Sequence, residues 1–198
     1  MFKILFIGAL LAILVFFIVR RLGFFGTTTS MTYLQTDDWI EIRLDNRTLK
    51  QAVKKTLFSV LIGFVLLIVV LVIAAKFRIA LFMLPISFYL IGQYFILINQ
   101  IKTLKKQQMY FHRHTQQVKI NSDEGNISFN LRTDVVKLKE VKSVQKNNGL
   151  LLGYYKILTT HYKVVIPFIL QENLQNKPFF DELEKLPKEI VSKLFPII

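Results

Sequence analysis

The sequence predicts an α-helical membrane protein with a two-helix transmembrane hairpin, an N-terminal membrane helix and a small α+β cytosolic domain. Two apolar runs, residues 57–75 and 79–98, contain 19 and 20 residues without a charged side chain. At about 1.5 Å per helical residue, each run can cross a hydrocarbon core of roughly 30 Å. Only Lys76, Phe77 and Arg78 separate the runs, which indicates a hairpin. The 53% of hydrophobic residues and the mean hydropathy of +0.42 are typical of a membrane protein with a small soluble part.

A third apolar run, residues 4–19, ends at Arg20 and Arg21. It has the position and length of a secretory signal peptide, which is the alternative interpretation. However, only Lys3 precedes the run, and no pair of small residues marks a cleavage site after it. We therefore expect a retained membrane helix over residues 1–25, because the aromatic pair behind the arginines extends the run to a full crossing.

Basic residues near the helix ends predict the orientation. With the N-terminus outside, twelve basic residues flank the cytoplasmic helix ends and three flank the outer ends. Cytoplasmic loops carry an excess of Lys and Arg, so both polar segments, residues 26–55 and 109–198, are expected in the cytoplasm. This asymmetry also accounts for much of the net charge of +13. The residues expected at anionic lipid headgroups are Arg20, Arg21, Lys54, Lys55, Lys102, Lys105 and Lys106.

The first polar segment, residues 26–55, divides into a linker, a short ordered element and a helix. Residues 26–30 are Gly, Thr and Ser, which disfavour helix. Apolar and polar side chains alternate in residues 39–44, which favours a half-buried strand over an aspartate-capped helix. From Asn46 onward the pattern predicts a helix that continues into the first membrane run. Whether residues 32–44 join the sheet of the later domain stays open at this point.

The second membrane run carries more polar side chains than the first. Pro85, Gln93 and Tyr94 are expected on a packed helix face, because polar groups in hydrocarbon prefer a protein partner. For Gln93 the simplest interpretation is one interhelical hydrogen bond. No acidic or basic side chain lies inside either run, which argues against an ion pathway built by this chain alone.

Beyond a basic helix end at residues 99–108, the pattern predicts strands closed by one helix. The predicted strands are residues 116–120, 127–132, 135–144, 150–158 and 162–170. Turns at residues 122–126 and 147–149, which contain glycine, and at Thr159-Thr160-His161 join antiparallel neighbours. Residues 176–194 carry apolar side chains at helical spacing, which predicts one amphipathic helix with a kink at Pro187.

Antiparallel strands followed by one amphipathic helix are the element order of a pleckstrin-homology-like (PH-like) β-roll. A closer resemblance lies in Thr36-Asp-Asp-Trp-Ile before the hairpin, in the segments that begin at Val136 and Ile157, and in Phe179-Phe-Asp-Glu-Leu. Over residues 32–190 the sequence resembles the YcxB-like family of small bacterial membrane proteins. It departs from the family pattern in its extra first helix and in lacking a tryptophan near the segment at Val136. The resemblance implies a membrane hairpin before a PH-like domain, and no reaction or cofactor.

Few residues offer catalytic or metal-binding chemistry. The absence of Cys excludes disulfides, thiolate catalysis and Cys-ligated metal sites. His112 and His114 point the same way in an extended segment, but a metal site needs a third ligand such as His161. A basic stretch near lipid headgroups is the simpler interpretation. Asp37 and Asp38 lack a companion nucleophile, so we expect them to cap a helix or to pair with a nearby arginine.

Four lysines lie in the longest predicted strand: Lys137, Lys139, Lys142 and Lys146. In a PH-like domain such residues can contact acidic headgroups, and a solvated or lipid-facing surface is the expected role. Nucleic acid is disfavoured as a partner, because the aromatic residues follow apolar patterns and do not alternate with lysines as a stacking platform requires.

These observations predict a non-catalytic accessory or scaffold subunit of a protein complex in the bacterial inner (cytoplasmic) membrane. It is expected to dock other integral membrane protein subunits through its helices and its PH-like domain, and to contact membrane lipids, without a cofactor or metal. The alternative is a lipid-responsive membrane regulator that binds anionic lipid through its juxtamembrane lysines.

Overall fold

Two long apolar helices and two small β-sheets make up the described part of the chain. The computed structural model describes residues 38–122, 125–147 and 149–198. The predicted N-terminal helix with Arg20 and Arg21, the linker at residues 26–30 and Asp37 lie outside these ranges.

The helices are antiparallel neighbours joined by a tight connection. Helix α1 is Asn46–Ala74, a 3₁₀ segment is Arg78–Met83, and helix α2 is Leu84–Lys105. Both Asn46–Ala74 and Arg78–Lys105 are long and apolar enough to cross a membrane. They approach closely at Gly63, where a Cβ atom would lie 2.8 Å from Cβ of Leu90. The prediction of two long apolar helices, the first continuous from Asn46, is confirmed.

The first sheet joins residues from both sides of the hairpin. Its strands are β1 Trp39–Ile42, β2 Gln107–His112, β3 Gln117–Ser122 and β4 Gly125–Asn130, in the order β1-β2-β3-β4 and all antiparallel. Ile40 lies opposite Phe111 and Ile42 opposite Met109. The strand interpretation of residues 39–44 is thus confirmed for Trp39–Ile42, and the strand joins the later domain. The basic helix end predicted at residues 99–108 is confirmed up to Lys105, and strand β2 begins at Gln107.

The second sheet carries the surface that meets the hairpin. Its strands are β5 Val135–Asn147, β6 Leu150–Thr159, β7 Lys163–Pro167 and β8 Lys188–Lys193, in the order β7-β6-β5-β8. Strand β8 runs parallel to β5, whereas the other neighbours are antiparallel. Two 3₁₀ segments, Phe168–Glu172 and Leu174–Asn176, follow β7. They replace the end of the strand predicted over residues 162–170.

Strand β6 is buried on both faces. Tyr155 and Ile157 belong to a hydrophobic core that side chains of both sheets and of the helix near residue 180 share. Leu150, Leu152 and Tyr154 are also buried, but they alternate with the core residues and therefore face the other side of the sheet. On that side α1 contacts β5 and β6. The second sheet thus lies between the core and the hairpin.

The predicted helix over residues 176–194 is wrong in its second half. Helix α3 is Lys177–Glu184, and its buried face begins with Phe179 and Phe180. Pro187 follows it and cannot continue a helix, because proline lacks the N–H group and clashes with the preceding turn. Residues Lys188–Lys193 then form β8, with Ile190 56% exposed rather than in a core.

Ion pairs hold the edge strand β8 against β5. Lys188 Nζ lies 2.9 Å from the carboxylate of Glu140, and Glu189 lies 2.7 Å from Lys137 and 3.3 Å from Lys139. The side chains of β8 are mostly exposed, so burial does little to hold this strand. The cross-strand ion pairs therefore supplement the parallel backbone ladder with β5.

Replacing Gly153 by alanine tests the packing of the second sheet. A Cβ atom at this position would clash with the carbonyl oxygen of Val141 and would lie 2.6 Å from the ring of Phe168. We expect Gly153→Ala to reduce the free energy of unfolding by about 1–3 kcal/mol, because neither the strand backbone nor the buried ring can move freely. Thermal unfolding of the full chain in detergent measures this. Ser128→Ala on the exposed edge of β4 is the control, and an equal effect of both substitutions would contradict the packing.

Candidate functional site

The contact between the hairpin and the second sheet contains the buried polar residues Gln93, Ser143 and Asn147. We call it the junction, and its members are Tyr89, Gly92, Gln93 and Asn99 of α2, Ser143 and Asn147 of β5, and residues 194–198. The predicted site residue Gln93 lies at its centre. Three separate contacts hold α2 to the sheet here.

The first contact is a buried pair of amides. Asn147 Nδ2 donates to Gln93 Oε1 over 3.2 Å, and both residues are 0% exposed. Gln93 Nε2 donates in turn to the carbonyl oxygen of Tyr89 over 3.4 Å. The partner expected for Gln93 was the neighbouring helix, whereas the structure places it in strand β5. Buried polar groups without partners are costly, so this pair favours one position of the sheet along the helix.

The second contact combines a hydrogen bond with close packing. The hydroxyl oxygens of Tyr89 and Ser143 lie 3.3 Å apart, and the rings of Tyr89 and Phe195 have centroids 5.5 Å apart. The ring of Phe195 lies over Gly92, where a Cβ atom would come within 2.5 Å of it. Gly92 therefore allows the segment after β8 to lie directly on the helix.

The third contact is a reciprocal pair of hydrogen bonds. The backbone N–H of Ile198 donates to Asn99 Oδ1 over 2.8 Å, and Asn99 Nδ2 donates to the carbonyl oxygen of Ile198 over 3.4 Å. Since the ring of Phe195 lies on Gly92 and Ile198 at Asn99, the segment follows α2 for about 10 Å. The β domain, by which we mean strands β1 to β8 with helix α3 and residues 194–198, therefore covers one side of α2 in the C-terminal half of its apolar run.

The rest of the hairpin surface is apolar and uncovered. Its exposed large side chains are Phe58, Leu61, Ile62, Val65, Ile68, Val69, Val72, Ile73, Phe77, Ile79, Leu81, Phe82, Met83, Ile86, Phe88 and Phe95. We call this set the apolar jacket. Continuous apolar surfaces of this kind mark contact with a membrane or another protein.

A basic stripe lies on α1 just before the apolar jacket. Arg47, Lys50 and Lys54 recur at helical spacing, are exposed, and line an open cleft with their neighbours. Within the described ranges none of these three has an ion-pair partner. Lys55, predicted at headgroups, lies 3.4 Å from Glu172.

The predicted headgroup residues Lys102, Lys105 and Lys106 are exposed at the C-terminal end of α2. Positive charge at this helix end is also favourable to the helix dipole. Of the predicted packing residues, Tyr94 is buried, whereas Pro85 is exposed in the first turn of α2. Proline in that position starts a helix and does not need a packing partner.

The two histidines of the sequence pair surround Asp38. Nε2 of His112 and Nε2 of His114 lie 4.0 and 3.7 Å from the Asp38 carboxylate. The expectation that Asp38 caps a helix or pairs with an arginine is wrong, since Arg43 pairs with Glu41. Nowhere in residues 38–122, 125–147 and 149–198 do three or more potential ligands form a group that could hold a metal ion.

Structural contacts explain the shifted pKa values. Hydrogen bonds from Lys137 and Lys139 lower the pKa of Glu189, and burial raises the pKa of Tyr154. A hydrogen bond from Lys185 lowers the pKa of Glu182. These groups lie in ion pairs or in the packed sheet, and no two of them face a common cleft in the described structure.

Most members of the junction were missed by sequence reasoning. Asn147 belongs to an Asn-Asn-Gly segment that predicts a turn. Leu194 is predicted as the last residue of a helix, and residues 195–198 lie beyond that helix. Asn99 was a polar residue at a helix end. The sequence did indicate Gln93, because an amide side chain within an apolar run needs a hydrogen-bond partner.

No protein-family model, curated protein or solved structure matches this chain. The resemblance to the YcxB-like family therefore stays a prediction.

Two glutamines of α2 provide a matched test of the junction. Gln93 is paired with Asn147, whereas both polar side-chain atoms of Gln100 are buried without a hydrogen-bond partner in the described structure. We expect Gln93→Met to destabilise the protein by about 1–3 kcal/mol, because it leaves the amide of Asn147 unpaired. Gln100→Met should be neutral or stabilising. Thermal unfolding of both variants in detergent measures the difference, and equal destabilisation would contradict the role of the pair.

Proposed function

We propose that this protein is a non-catalytic accessory or scaffold subunit of a complex in the bacterial inner membrane. In this proposal the hairpin inserts into the membrane and the apolar jacket contacts lipid and the helices of another integral membrane protein. The β domain then presents a cytoplasmic surface to the same partner.

The observation that supports this function is the fixed attachment of the β domain to the hairpin. Short connections join the domain to the hairpin: three residues separate β1 from α1, and one residue separates α2 from β2. The buried Gln93–Asn147 pair and the Asn99 contacts hold the sheet against α2. A domain held in one orientation to the membrane suits a protein that aligns a partner.

The proposed function also includes the orientation, the PH-like fold and the family that the sequence predicts. The N-terminus is outside and the β domain cytoplasmic, as the basic residues favour. The β domain is assigned to the PH-like rolls and the chain to the YcxB-like family. Two sheets that share a core with a short helix support the PH-like assignment, and β8 after that helix is an addition to the expected pattern.

Site-specific photo-crosslinking in native membranes tests the partner. A photoreactive amino acid at Phe82 or Phe58, which are 84% and 54% exposed, should crosslink to a different membrane protein. The control position is Leu97, which is 1% exposed and should give crosslinks only within the chain. Native mass measurement after mild extraction should show the same second protein. Recovery of a monomer or homo-oligomer alone, without crosslinks from exposed positions, would contradict the scaffold role.

A lipid-responsive regulator is the second candidate, and the basic stripe favours it. Exposed cations without partners, next to an apolar segment, attract anionic headgroups, each worth about 1 kcal/mol. The double variant Lys50→Gln and Lys54→Gln should then retain fewer anionic lipids in native mass spectra than the wild type. The control is Lys163→Gln with Lys177→Gln, which removes equal charge from the β domain. Identical lipid retention by both double variants would argue against this role.

A further inference from the structure

The β domain carries exposed apolar side chains at the edge that touches the hairpin. Val144 is 66% exposed, Leu194 61%, Phe195 42% and Ile197 57%. Single exposed apolar residues are common, but these four lie together at the end of β5 and in the segment after β8. We call them the apolar edge.

The contacts of the junction place this edge level with the apolar run of α2. Val144 lies in β5 between Ser143, which meets Tyr89, and Asn147, which bonds to Gln93. Phe195 lies on Gly92 of the same turn region. From Gly92 the helix axis extends about 9 Å before it reaches the end of the run at residue 98. Phe195 and its neighbours therefore lie beside the apolar run of α2, and Val144 lies next to Leu194 because Ser143 pairs with Lys193.

Lysine residues lie close in sequence to two members of the apolar edge. Lys142 and Lys146 stand on either side of Val144, and Lys193 precedes Leu194. Lys146 and Lys193 are exposed, and neither has an ion-pair partner in the described structure. Long lysine side chains can follow an apolar surface and place their ammonium groups at a polar boundary. Apolar side chains bordered by such lysines are complementary to lipid chains bordered by anionic headgroups.

We propose that the apolar edge inserts into the cytoplasmic leaflet of the membrane, where Val144, Leu194 and Ile197 contact lipid chains. Lys146 and Lys193 then reach the headgroups, whereas Lys142 lies 3.8 Å from the carboxylate of Glu140. The β domain is thus partly embedded and does not only stand on the membrane surface. This inference rests on the proposed membrane insertion of the hairpin, and it assigns a lipid ligand to a surface of the β domain.

The absence of cysteine in the chain makes single labels unique. The full chain carries Val144→Cys or Leu194→Cys with an environment-sensitive fluorophore and is reconstituted alone in vesicles of neutral and anionic phospholipid. We expect emission at shorter wavelength and quenching by lipids brominated in their acyl chains. The control positions are Val136 on the same strand, 72% exposed, and Leu174, 84% exposed, which should show neither effect.

Two further measurements show whether lipid or a second copy of the protein protects the labelled position from solvent. Impermeant maleimide should react more slowly with Val144→Cys than with Val136→Cys in vesicles, and equally fast after denaturation in SDS. Quenching equal to that of the controls would overturn the proposal. Protection that disappears on dilution of protein in lipid would also overturn it, because a second copy would then cover the edge.

Labelling of Lys76→Cys separates this inference from the membrane placement. If Lys76→Cys is accessible from the side opposite to Val136→Cys, the hairpin crosses, and unquenched Val144 then refutes only the embedded edge. If both positions are accessible from one side, the crossing itself fails.

Discussion

The pairing of β1 with β2 constrains the whole molecule. Because these strands lie on either side of the hairpin in sequence, their ladder brings the start of α1 and the end of α2 together at one edge of the first sheet. The two helices leave the domain as a closed pair with fixed ends. The halves of the helices nearest the domain then become part of the packing of the second sheet, which is why Leu150, Leu152 and Tyr154 are buried on the face away from the main core.

The two parts of the hairpin consequently lie in different environments. Its distal part exposes mainly apolar side chains, with Lys76 and Arg78 exposed at the connection between the helices. One side of α2 between Tyr89 and Asn99 instead makes hydrogen bonds to β5 and to the segment after β8. Polar groups inside an apolar run need protein partners where water is excluded. The second sheet supplies partners to Tyr89 and Gln93, whereas Oδ1 of Asn147 stays without a hydrogen-bond partner in the described structure. The same sheet edge exposes Val144, and the segment after β8 exposes Leu194.

Particular residues show how far the sequence was informative. Alternation in residues 39–44 predicted strand β1, and the apolar runs predicted both helices, because these patterns reflect which face of an element is buried. The helix predicted over residues 176–194 is wrong in its second half, because the spacing of Ile190, Val191 and Leu194 fits a helical period and also fits a short edge strand. Pro187 marked the boundary, and the ladder with β5 together with the Lys188–Glu140 pair decided for a strand. Strand β2 was hidden because its residues directly continue a helix with no turn signal.

The sequence by itself determined the apolar helices, the distribution of positive charge and most of the strands, since hydrophobic period and length are local properties of the chain. Only the tertiary structure decided that Asn147 meets Gln93, that Lys137 and Lys139 are bound by Glu189, and that residues 194–198 lie along α2. Each of these contacts joins residues that are about fifty or more positions apart in sequence or on different strands. Such partners depend on strand order and register, which no local pattern contains.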